Sequence, residues 1–85
     1  MDWDGLQYFL MVARHGTLAR AGQALQVDAT TVSRRVSALE RALQQTLFER
    51  APTGFALTAA GRALVPHAEA MAAAAARVDS AGEGG

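Results

Sequence analysis

Only three residues, Gln26, Val27 and Asp28, separate two stretches of amphipathic helix, and no other feature limits the fold of this chain as much. The first stretch has Thr17 where an N-cap belongs, and it carries Leu18, Ala21, Gly22 and Leu25 on one face at spacings of three and four, about two turns of helix. In the second, Asp28 is placed to accept bonds from the free N–H groups of the first turn. Val32, Val36, Leu39 and Leu43 then fall at i, i+4, i+7 and i+11 to make one buried stripe. A connection this short between two such helices is what a helix-turn-helix requires.

The flanking segments complete a small, mostly α fold. From Asp4 to His15, Leu6, Phe9, Leu10, Val12 and Ala13 recur at helical spacing, with Gly16 as the breaker and Trp3 as a packing residue at the start. Leu47 to Leu57 changes character: two short apolar runs flank Ala51-Pro52-Thr53-Gly54, which predicts a β-hairpin wing over 47–57. Thr58 can cap a long helix from Ala59 to about Asp79, with Pro66 expected to bend it or shift its start. Leu64, Ala68, Met71, Ala75 and Val78 form a stripe along this helix that outruns a small core, which predicts pairing with a second copy. Residues 80–85 are Gly-rich and are expected to be a flexible tail or hinge. The expected division is thus 1–58 for a winged helix-turn-helix, with the helix-turn-helix over 17–36, and 59–79 for a pairing helix.

Net charge is zero, because eight Arg are balanced by eight carboxylates, yet the distribution is uneven. Residues 14–62 hold seven Arg against Asp28, Glu40 and Glu49, a net +4, while each end carries −2. A basic middle permits a polyanionic partner. Counting 100° per residue from Val32 puts Thr30, Arg34, Ser37 and Arg41 opposite the buried stripe, with Thr31 and Ser33 on the flanks. Past the cap this outer face holds hydroxyls and guanidinium groups and no carboxylate, which suits a groove lined by phosphates and base edges. Glu40 lies near the edge of the buried stripe, where an ion pair with Arg20 or Arg50 and a purely solvated role are both open; Arg35 is more ambiguous than Arg34 but is counted with Thr30, Thr31, Ser33, Arg34, Ser37 and Arg41 among the candidate groove contacts.

Other chemistries find little support. There is no Cys, so disulfides and thiolate metal sites are excluded, and His15 and His67 are not in metal-ligand spacing and read as surface residues. No cofactor is expected. A Gly-rich phosphate loop, a paired acid and base, and a nucleophile with a partner are all missing, so an enzyme is not expected. With no signal-like h-region and no apolar run near the ~18 residues of a spanning helix, a cytoplasmic chain is expected.

Taken in order, Leu6, Phe9, Val12, Gly16-Thr17, Ala21, Leu25, Val32-Ser33, Leu39-Glu40, Leu47-Phe48-Glu49-Arg50, Leu57-Thr58 and Ala60-Gly61 resemble the N-terminal pattern of LysR-type transcriptional regulators over residues 4 to about 65. The resemblance implies a winged helix-turn-helix, a linker helix that pairs protomers, and a C-terminal effector domain of about two hundred residues through which any small-molecule inducer would act. The chain then reads as the DNA-binding portion of such a regulator, ending near the interdomain hinge. It also implies that the helix over 28–43 enters the major groove of a roughly palindromic duplex site, with Ala29, Thr30, Ser33 and Arg34 facing the bases. Arg50, Thr53 and Gly54 would approach the flanking backbone or minor groove, and Thr17 a phosphate. Two departures matter: Ala29 stands where relatives commonly have a hydrogen-bonding side chain, and the wing lacks the usual Arg residues. Base reading then falls on Thr30, Ser33 and Arg34, and the salt dependence of binding should be shallow. The zero net charge and the uncharged wing tip also fit a different role, a winged helix that pairs with or inhibits another regulator without touching DNA.

Overall fold

The computed structural model describes residues 3–83, with side chains through Val78. Its elements in order are α1 (Trp3–His15), α2 (Leu18–Leu25), α3 (Ala29–Leu43), β1 (Phe48–Ala51), β2 (Gly54–Leu57) and α4 (Ala59–Glu83). The strands form one antiparallel hairpin in which Phe48 faces Leu57, Glu49 faces Ala56, Arg50 faces Phe55 and Ala51 faces Gly54. The wing is therefore closed by a turn of two residues, Pro52 and Thr53.

The helix ends follow local chemistry, with one departure. Gly16 at φ 80° stops α1, its N–H donating to the Val12 carbonyl at 2.8 Å. The Thr17 hydroxyl accepts the Arg20 N–H at 3.1 Å and so caps α2 as expected. Thr58 caps α4, accepting the Gly61 N–H at 3.0 Å and donating to the Thr46 carbonyl at 2.6 Å. Asp28 holds the N-cap position of α3, but its side chain makes no capping hydrogen bond. It is exposed, and its charge acts on α3 only as an anion near the positive end of the helix dipole. α2 and α3 both end on glutamine, Gln26 at φ 60° and Gln44 at φ 55°, in the left-handed region usually taken by Gly.

Two clusters make the core. Leu6, Phe9 and Leu10 of α1 pack with Leu39, Leu47 and Ala68, while Val12, Ala21, Val32 and Val36 pack α1, α2 and α3 together. Phe48 touches both clusters, its ring 5.3 Å from that of Phe9, and so ties the wing to the helices. Burial of side chains such as Phe9, Leu6 and Leu10, each at most 2% exposed, contributes about 1.5–3 kcal/mol apiece.

α4 corrects two expectations. It runs to Glu83, four residues past the expected end, although Gly82 lies in the added turn; Gly84 and Gly85 of the expected tail lie outside the described residues. Pro66 sits inside this helix without dividing it. Ala68 does not belong to an outward stripe, because it is 0% exposed against α1 and the rest of the core, with Val65 and Ala72 packed beside it. A second row, Leu64, His67, Met71, Ala74 and Val78, runs alongside at spacings of three and four. Exposure rises along that row: Leu64 is half-buried, Met71 42% exposed and Val78 70%. Of the five residues expected to pair protomers, Leu64, Met71 and Val78 lie on this open row, and Ala75 is half-buried between the rows.

Candidate nucleic-acid interface

α3 presents three sides. Thr30, Arg34 and Arg41 are exposed on the side away from Val32, Val36 and Leu39. Ser33 and Ser37, both half-buried, lie on the side facing the wing, where with Val12, Leu18, Val36, Glu40, Phe48 and Phe55 they line a crevice of about 90 Å³. Ala29 is half-buried at the first turn. On the remaining side Thr31 is half-buried, and Arg35 is turned back toward α1, its guanidinium carbon 5.7 Å from the centre of the Tyr8 ring. Both arginines are candidate groove contacts in the sequence, and the structure separates them: Arg34 points outward, Arg35 packs on α1.

The wing stands beside this face and is fastened on two sides. Toward α1 and α2, the Phe55 N–H donates to the Gly16 carbonyl at 2.8 Å. Gly54, at φ 139°, fits against the same carbonyl, onto which a Cβ at this position would fall, and it would also meet the Thr17 methyl at 3.0 Å. Toward α3, Glu40 Oε2 accepts the Leu47 N–H at 2.7 Å and the Phe48 N–H at 3.4 Å. Neither the ion pair nor the solvated role expected for Glu40 describes this use. The bond joins backbone seven residues along the chain, and only the adjacency of Leu39-Glu40 to Leu47-Phe48 in space reveals it.

At the tip Thr53 is exposed, and Arg50, the wing's single cation, lies over Phe55 with its guanidinium carbon 5.5 Å from the ring centre. The wing thus forms one assembly with the Gly16–Thr17 turn at its tip and with the Ser33–Ser37 side of α3 through Phe48 and Phe55. Sequence reasoning missed the Gly16 carbonyl and Glu40 as its organisers. Gly54→Ala is expected to destabilise the protein by roughly 1–3 kcal/mol from the backbone conformation alone, with displacement of the wing adding to that. A thermal melt unchanged from the native would show that the wing does not need this contact.

Among the described residues no group of three or more His, Cys, Asp or Glu could hold a metal ion, and no helix is long and apolar enough to cross a membrane.

Three helices, a turn that crosses α2 on α3, and a two-stranded hairpin fastened beside α3 define a winged helix-turn-helix protein. The model of the lysR family of bacterial regulatory helix-turn-helix proteins matches residues 3–62, and the chain belongs to that family. It is 44% identical over 68 residues to an uncharacterized HTH-type transcriptional regulator in the ibpB-leuC intergenic region of Azotobacter vinelandii, covering 80% of this chain and 47% of that protein. It is 35% identical over 90 residues to the SDS degradation transcriptional activation protein of Pseudomonas sp. (strain ATCC 19151), covering 98% of this chain and 29% of that one. The chain therefore spans less than half the length of these curated relatives. Among solved structures it is similar to the CbnR DNA-binding domain in a complex with DNA, with a TM-score of 0.87 and 34% identity over 99% of this chain and 97% of that one.

Proposed function

We propose that this chain binds double-stranded DNA sequence-specifically, as the DNA-binding part of a LysR-type transcription regulator. The observation that carries the reading is the outward side of α3: Thr30, Arg34 and Arg41 are exposed there without a carboxylate, beside Ser33 and Ser37. Such groups hydrogen-bond base edges and phosphates, and a helix of this width fits the major groove. α3 reads bases, with Ala29 limited to apolar contact such as a thymine methyl group. Arg50 and Thr53 of the wing, Gly54 through its backbone, and Thr17 at the start of α2 meet the sugar-phosphate backbone. Arg35, held over Tyr8, contacts at most a phosphate at the edge of the groove.

Two copies pair through the open row of α4, Leu64, Met71 and Val78 foremost, and set two α3 helices on one side of the duplex, ~34 Å or a multiple apart, over a roughly palindromic site. The work of such a protein is regulatory and not enzymatic, and its place is the cytoplasm. The CbnR DNA-binding domain, solved on DNA, supports the reading by likeness along nearly the whole chain.

The test is a titration against duplex DNA at several salt concentrations with oligomeric state recorded alongside. A dimer whose log affinity falls linearly with log salt is expected, with a shallow slope because the wing offers a single cation. A well-folded dimer that ignores duplex DNA even at low salt would overturn the proposal in favour of a module that pairs with another protein.

A further inference from the structure

With one cation on the wing, what the wing contributes depends on where that cation is held. Glu40 leaves α3 on the wing side, and its Oε2 takes the N–H groups of Leu47 and Phe48 at 2.7 and 3.4 Å, at the point where β1 begins. A carboxylate accepting N–H bonds is a stronger tie than a neutral pair. From Phe48 the connection continues through side chains. Its ring meets that of Phe55 edge to face at 6.3 Å, and the Phe55 ring carries the Arg50 guanidinium at 5.5 Å. Arg50 also faces Phe55 across the hairpin. The crevice of about 90 Å³ between α3 and the wing leaves room for the hairpin to shift, and Glu40 is among the residues that line it.

We propose that Glu40 is a positioning residue for DNA recognition: it fixes Arg50 relative to Thr30 and Arg34, so that backbone contact by the wing and base contact by α3 engage one duplex at a set spacing. The inference rests on the DNA-binding reading above. Glu40 acts through the hairpin and not on the duplex, since its Oε2 is directed at the Leu47 and Phe48 N–H groups.

The test is a double-mutant cycle in the full 85-residue chain, using Glu40→Ala, Arg50→Ala and both together, with Glu40→Gln as the conservative variant. The probe is a duplex selected by the native protein, titrated at several salt concentrations, with melting and sedimentation recorded so that only folded dimers are compared. Arg50→Ala is expected to lower the salt slope by about one per protomer. Glu40→Ala should lower it as much, and the double variant no further. Glu40→Gln, whose amide oxygen can still accept the Leu47 N–H, should recover most of the slope. If Glu40→Ala melts too low to compare, Glu40→Asp keeps the charge, falls one methylene short, and completes the same cycle with the same expectation. Additive losses, or a native slope in Glu40→Ala, would overturn the assignment while DNA binding stands. A native chain that binds no duplex at all would overturn the DNA-binding reading and this inference with it.

Discussion

Arg34→Ala is expected to weaken binding to a selected duplex by about 1–3 kcal/mol per half-site, roughly five- to a hundred-and-fiftyfold each, with the two half-sites of a dimer compounding. The fold should survive, because Arg34 is exposed on the outward side of α3 and Ala is the stronger helix former. The same titration on random-sequence duplex separates two roles. If Arg34 reads a base, the selected duplex loses more affinity than the random one; if it meets a phosphate, both lose alike. Affinity unchanged on both would take α3 out of the interface and remove the basis of the proposed function.

Met71→Asp is the corresponding change for pairing. Met71 is 42% exposed in the single chain and lies midway along the open row of α4, flanked by His67, Ala74 and Val78, while Trp3 of α1 joins Met71 and Val78 around an apolar groove of about 410 Å³. In a dimer joined along this row, two carboxylates would enter an apolar seam without partners, a cost on the order of several kcal/mol. Sedimentation should then show monomers at concentrations where the native chain is dimeric. The melting of the monomer itself should change little, because the core side of α4 is carried by Val65, Ala68 and Ala72. An unaltered dimer would place the interface elsewhere on the protein.

Periodicity made the helices legible: apolar spacing located α1, α2 and α3 to within a residue, and the Pro-Thr-Gly cluster located the hairpin. What the sequence hid was long-range. Asp28 has the right type and place for a capping side chain, but a cap also depends on a rotamer that tertiary context sets. Gln26 and Gln44 adopt left-handed backbone where glycine would have been the signal, so nothing in the residue type announces those helix ends. On α4, Ala carries too little chemical contrast to distinguish a core side from an open side. Ala68 was therefore grouped with Met71, although one is buried in the core and the other is 42% exposed. The outward residues of α3 were legible because charge and hydroxyls mark a face as clearly as apolar residues mark its opposite. Arg35 was not, because its position depends on Tyr8 of another helix.

The fastening of the wing on both sides, by Gly16 and Glu40, bears on the nucleic acid as much as on the protein. A reading head held on both sides resists opening and closing and passes part of any misfit to its target, which then bends or changes its groove width to satisfy both contacts. Sequences differ in how cheaply they deform, with pyrimidine–purine steps yielding most readily. In the proposed complex, part of the preference for one site over another would then arise at base pairs that no side chain reaches, set by the stiffness of the duplex between the helix and the wing.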